Sequence, residues 1–317
     1  MSGLASLFLQ KYEIDLVDSH YKVTLENLQK LHPRTPRSVV YFLGGSLPGT
    51  AILHMRQLSL FGMICLLLSD PLNQHARHIL MNGQEGPKSW FFQIRDITQL
   101  YSLPHPLQLL EAPLPKESLK KLVKSRVLDY WESKLRSEAL KLEEASLKFF
   151  KPNFMSLAKP HSLWTTAGCS PYETAKATIQ ARMLSGRFRT EELASHWSDN
   201  KEGLCLSPNC EREIEDIEHI LVGCIALEPV RTRLRSSWQT HAIQTPYLHQ
   251  LINLVLVAPK QLFCQFLLDP SVHPEVISAE QRHGRKVLTE VFYLSRTWCY
   301  LMHKERLKMQ RKWNLKM

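Results

Sequence analysis

A chain of 317 residues, 44% of them hydrophobic and 22% charged, can bury a sizeable core without a disulfide or metal staple. The composition argues against long disorder. The longest near-apolar run, LSLFGMICLLL at 58–68, falls short of the roughly 20 residues that span a bilayer, so it reads as a buried helix and no membrane partner is expected. The formal charge is +10, and from Arg282 to Met317 ten Lys or Arg face only Glu290 and Glu305. Such a one-signed segment suits a polyanion, although charge runs are more often a solvated helix face.

MSGLASLFLQKYEIDL has no basic segment ahead of its apolar stretch, so an intracellular, nuclear or cytoplasmic location is expected. In chain order, Ile14, Val17, Tyr21, Leu28 and Leu31 space a helix that Pro33 stops. A short helix follows, with Thr35 as cap, Pro36 at its first position and Gly44-Gly45 at its end. PGTAILHMRQLSLFGMICLLL predicts a long apolar helix, and PLNQHARHILM and SWFFQIRDITQLY two more. The mixed-charge stretch from Pro115 to Leu142 predicts a solvated connecting helix. Pro152, Pro160 and Gly168 then break the periodicity, placing a domain boundary near KPNFMSLAKPHSLWTTAG. Ser170, Pro171 and Glu173 together announce the helix through SPYETAKATIQARML. SGRFR makes a turn, and Thr190 caps a second helix through EELASHW. ALEPVRTRLRSSW predicts a helix, LINLVLVAP an apolar segment of open type, and the end of the chain a long helix with Val287, Val291, Leu294, Trp298 and Leu301 inward. Asp269-Pro270 reads as a turn.

Between these helices lies CLSPNCEREIEDIEHILVGC. Seven cysteines, an odd number, suit a reducing compartment, and Cys65, Cys264 and Cys299 sit in apolar surroundings as small buried side chains. Cys205, Cys210, His219 and Cys224 instead have the spacing C-x4-C-x8-H-x4-C, a ligand set that suits tetrahedral zinc. Pro208 and Asn209 favour the bend between the first pair. On a continuous α-helix, five residues leave His219 and Cys224 about 140° apart, so a left-handed cap at Gly223 is expected to turn Cys224 back. Glu215, Asp216 and Glu218 would lie at the start of that helix, and the acidic loop should repel phosphate. Four protein ligands leave no open position, so the expected zinc is structural; the bland alternative is buried thiols beside a surface histidine.

QARMLSGRFRTEELASHW, followed by GLCLSPNCEREIEDIEHILVGCIALEPVRTRLR, resembles the zinc-binding region near the C-terminus of non-LTR (LINE-like) retrotransposon reverse transcriptases. The matching positions are Arg182, Ser185, Gly186 and Thr190, the two cysteines 205 and 210, then Glu218, His219, Cys224 and Pro229. PRTPRSVVYFLGGSLPGTAILHMRQLSLFGMI looks like the helical segment after the polymerase palm. The four-residue spacing of the first cysteine pair departs from the commoner two. The resemblance implies a nucleic-acid-binding tail of a polymerase, gripping template RNA or target DNA. No two aspartates are adjacent and no phosphate loop or nucleophile motif occurs, so a nonenzymatic chain without a small-molecule substrate is expected.

The expected fold is mainly α and multi-helical, with a small zinc-knuckle-like module after a helix hairpin. The expected division is a thumb-like region over 1–112, a connecting helix and linker over 113–160, hairpin and zinc module over 161–240, and a C-terminal segment with the basic helix over 241–317. Candidate nucleic-acid contacts are Arg182, Arg187 and Arg189 around Phe188, which could stack on an unpaired base. Arg231, Arg233 and Arg235 follow Cys224, and Lys304, Arg306, Lys308, Arg311 and Lys312 lie in the tail. Rival readings are a zinc-stabilised module that docks on a polymerase core, or a decayed retroelement fragment without selected function.

Overall fold

A computed structural model describes residues 3–82, 89–143, 147–196, 202–210 and 212–314. The chain is multi-helical, and among the described residues the sole β feature is an isolated antiparallel bridge between Leu204 and Ile214. It divides into two compact units, Met1–Leu25 with Gly45–Glu138, and Glu26–Gly44 with Ala139–Met317. This differs from the division expected at the proline-rich stretch. The chain changes unit three times, inside the first helix, at Gly44-Gly45 and inside the long mixed-charge helix, and only the glycine pair marks its crossing in the sequence.

The first unit holds most of α1 (Lys11–Gln29), then α3 (Gly49–Leu66), α4 (Pro71–Asn82), α5 (Trp90–Leu100), α6 (Pro106–Glu111) and most of α7 (Lys116–Glu143); α2 (Arg37–Gly44) belongs to the second. By length and composition α3 could cross a membrane, but 56% of it is buried, with Leu53, Leu58, Phe61 and Ile64 in the core. Asn73 Nδ2 closes its C-terminal end by donating to Ile64 O at 3.0 Å. The expected α7 was a solvated connector. Instead Leu119, Val123, Val127, Trp131 and Leu135 form a buried stripe at four-residue spacing, each such side chain contributing about 1.5–3 kcal/mol. A Cβ at Gly62 would stand 2.3 Å from Leu119 Cδ2, so any larger residue there requires the Leu119 side chain to shift. On α1 the predicted inward face is only half-buried, and Leu28 is exposed.

The second unit is built round α15 (Lys286–Asn314), after α8 (Ser162–Thr165), α9 (Pro171–Leu184), α10 (Glu191–Ser195), α11 (Glu228–Gln244), α12 (Pro246–Leu256), α13 (Lys260–Leu268) and α14 (Pro274–His283). LINLVLVAP is thus mostly helix α12. The α15 helix packs against α9, α11, α13 and α14. Of its predicted stripe Val287, Val291, Leu294 and Trp298 are buried and Leu301 is half-buried. Trp298 meets Trp238 of α11 and Phe263 of α13 edge-on at 5.0 and 5.1 Å.

Ser170 caps α9 and Thr190 caps α10, each hydroxyl accepting from a backbone N–H three residues on. Glu173 does not complete a capping box; it reaches Lys176 at 2.7 Å and Arg296 of α15 at 2.6 Å. Thr35 does not cap α2, since its hydroxyl donates to His32 O and the helix begins at Arg37. Residues 39–43 of α2 are all buried, and Leu43 O accepts from His161 N at 3.1 Å.

Candidate metal centre

Two pieces of chain carry the four candidate ligands. The first is a narrow loop stitched by Cys205 N to Glu213 O at 2.8 Å, Glu215 N to Gly203 O at 2.9 Å and Glu213 N to Cys210 O at 2.8 Å. Gly203 has φ +63°, and a Cβ on it would stand 2.8 Å from Glu192 Cα, so the loop passes α10 at a distance only glycine permits. A 3-10 turn over Pro208–Cys210 takes up the four-residue spacing and brings the two thiols round.

The second piece corrects the expected route for Cys224. Gly223 has no positive φ. His219–Gly223 instead forms a π-helical turn, in which Cys224 N donates to His219 O at 2.6 Å. Widening the turn to this i→i+5 bond brings residue 224 back over residue 219, which a regular α-helix cannot do. Glycine at 223 still has a use, since a Cβ there would lie 3.3 Å from His219 Nδ1. Asp216 Oδ1 accepts from His219 N at 2.6 Å and so caps the turn. Trp298 Nε1 donates to Leu221 O at 3.2 Å, fixing the turn to α15.

Together these pieces gather Cys205, Cys210, His219 and Cys224, all buried, with one ligand atom from each within 4.8 Å of all the others. Cys224 Sγ stands 3.9 Å from Cys205 Sγ and 3.6 Å from Cys210 Sγ. A tetrahedral thiolate site with bonds of about 2.3 Å has edges of about 3.8 Å, so these separations fit one ion at the centre. His219 Nε2 is buried with no hydrogen-bond partner, while Nδ1 lies 2.9 Å from Glu213 Oε2. A carboxylate on one ring nitrogen with the other free is the arrangement that orients histidine as a metal ligand. The close approach of Cys205, then of His219 and Cys210, holds the Cys224 thiol well below its usual range, so a thiolate is available to bind a cation. With four protein ligands the group is closed.

The acidic loop is less repulsive than its sequence suggests. Glu213 faces His219, and Glu218 reaches Lys148 at 2.8 Å. Glu215 is buried, accepts from Glu191 N at 3.1 Å at the start of α10, and pairs with buried Arg306 of α15. Glu215 and Asp216 precede the helical turn and Glu218 lies in its first residues, as expected, and Glu215 and Glu218 each have a cationic partner in addition. No spacing signal links positions 215 and 306, so the sequence reading missed this pair.

Three candidate nucleic-acid contacts are corrected by burial. Phe188 is 6% exposed and edge-on to His303 at 5.1 Å, so it is packed beside α15 and not held out at the surface as expected. Arg231 is 1% exposed, pairs with Glu228 at 2.7 Å and donates to Cys224 O. Arg306 is committed to Glu215. Arg235 also pairs with Glu228, at 2.8 Å, and Lys308 with Glu305 at 2.9 Å. Arg189, Arg233, Lys304 and Arg311 are exposed; the side chain of Lys312 lies outside the described residues. Arg182 and Arg187 are half-buried, with Arg182 Nε donating to Lys30 O at 2.7 Å. Comparison with family models, curated proteins and solved structures returns no match.

Proposed function

We propose that this chain is a nonenzymatic module that binds RNA or DNA, in which one structural zinc ion fixes a helix hairpin and its arginines. Zinc is the ion that suits three thiolates and an imidazole in a closed tetrahedron. The resemblance to the tail of non-LTR retrotransposon reverse transcriptases supplies the rest of the reading, a grip on template or target behind a polymerase core.

The observation that carries it is the pair Arg187 and Arg189, which have no hydrogen-bonding or ionic partner among the described residues. They stand on the turn between α9 and α10, and the metal loop holds that turn through Glu215. A salt titration of binding to RNA and to single-stranded DNA, with and without chelator, tests it. Affinity should fall steeply with salt and fall again when metal is withdrawn. Salt-independent binding, or none at low salt, removes the reading.

A second reading, docking on a polymerase core, draws on the exposed apolar side chains Met63, Leu66, Leu67, Leu68 and Leu72 around the end of α3. Pull-down by a separately expressed core, lost on Leu67→Asp and Leu68→Asp, would favour it.

A further inference from the structure

Beside the arginine turn the second unit has a half-open cavity of about 880 Å³, between the loop at Leu31–Pro33, the turn after α9, and α15. Its wall has two chemistries. Arg182, Arg187 and Arg189 line it beside Arg306, whose charge is already matched by buried Glu215, and the one acid on the wall is Glu191. That acid is already occupied by Gln310 Nε2 at 3.1 Å and stands 3.6 Å from Arg306. Arg187 Nε is buried with no protein acceptor. A buried donor of this kind normally finds a partner, and a charged donor seeks an anionic one. Leu31, Pro33, Ile179, Leu206 and Leu307 supply an apolar wall. His303 Nδ1 is likewise buried without a partner. Burial, then the charges of Arg306 and Arg182, pull His303 down to about 4, so it is a neutral ring able to hydrogen-bond a neutral group.

A bare inorganic anion would leave most of this space and the whole apolar wall unused. A stacked duplex could present phosphates to the exposed arginines but could not place a base inside. We infer that the cavity seats one unpaired nucleotide of a single strand, with its phosphate on Arg187 and Arg189 and its base between the apolar wall and His303. Single strands are recognised by such splayed bases together with a cationic track for the backbone. The inference rests on the nucleic-acid reading above and deepens it: it makes the chain a single-strand binder and identifies the seat.

The test uses the full chain and a labelled 12-nucleotide strand, as RNA and as DNA, against the same sequence as a duplex. Leu307→Trp fills the cavity without changing charge, and Arg187→Gln removes one guanidinium. The wild type should bind the strand more tightly than the duplex. Leu307→Trp should abolish that preference while salt-dependent duplex binding remains, and Arg187→Gln should weaken strand binding about tenfold. A strand carrying 4-thiouridine should photo-crosslink the wild type within residues 179–191 or 303–310, which holds even if a variant fails to fold. Equal binding of strand and duplex, unchanged by Leu307→Trp, or crosslinks only elsewhere, overturns the cavity as the seat and leaves the broader reading standing. Absence of binding to any nucleic acid at low salt removes both.

Discussion

Removing the Glu215 carboxylate should damage the second unit more than any exposed acid of the same loop. In Glu215→Ala the Arg306 guanidinium, whose side chain is 4% exposed, loses a partner equally buried. Leaving a buried charge without its partner costs about 3–5 kcal/mol. Glu191 stands 3.6 Å from the same guanidinium and takes over part of the charge, which points to the lower end. The N–H of Glu191 also loses its acceptor, adding about 1 kcal/mol. The expected loss is therefore about 4 kcal/mol. The double variant Glu215→Ala with Arg306→Met should recover most of it, because no charge is then stranded. Urea unfolding followed by tryptophan fluorescence gives the midpoints, and hydrogen exchange over 191–224 reports whether the loss is local. A single variant within 1 kcal/mol of wild type by these measurements, or a double variant no better than the single, would refute the placement of the pair at the centre of this unit.

Other outcomes are open to simpler measurements. Purified chain should carry one zinc per molecule by elemental analysis, and cobalt substitution should give thiolate charge-transfer bands that Cys210→Ser weakens. Gly203→Ala must adopt a left-handed backbone and meets Glu192 Cα, so it should cost about 2–4 kcal/mol and lower metal retention in a chelator competition. The first unit should lose stability in mild acid. His54 Nδ1 and the Tyr101 hydroxyl are hydrogen-bonded at 2.9 Å, and that hydroxyl accepts from Trp131 Nε1 at 3.0 Å. Burial pulls His54 down to about 4, so between pH 6.5 and 4 the unfolded chain binds the extra proton and stability falls as pH falls. The loss over that window is on the order of 3 kcal/mol, and His54→Gln should flatten the urea-midpoint profile there.

Signals confined to a few neighbouring residues were the ones legible in the sequence. Ser170-Pro171 and Thr190 each place a cap and a helix start within four positions, and the stripe Val287, Val291, Leu294 and Trp298 depends only on spacing. The helices at 106–111 and 162–165 escaped notice because their caps are histidines: His105 and His161 accept through Nδ1, outside the usual Ser, Thr, Asp and Asn set. The gathering of Cys205, Cys210, His219 and Cys224 was legible from spacing, whereas the π-helical turn that achieves it was not, since the pattern of apolar residues does not distinguish i→i+4 from i→i+5 hydrogen bonding. Which arginines face inward was equally hidden. Arg306 differs from Lys304 and Lys308 only by a partner 91 residues away in sequence.

The passage of residues 26–44 into the second unit bears on how this chain can be cut and how it is made on the ribosome. Its buried segment 39–43 is synthesised more than a hundred residues before the helices of the C-terminal half that share its unit. That unit therefore cannot close as its own sequence emerges; an early segment must be held open until late synthesis supplies its neighbours. A fragment starting at residue 139 would lack an interior piece, while two co-expressed halves divided near residue 145 could reconstitute the protein by complementation.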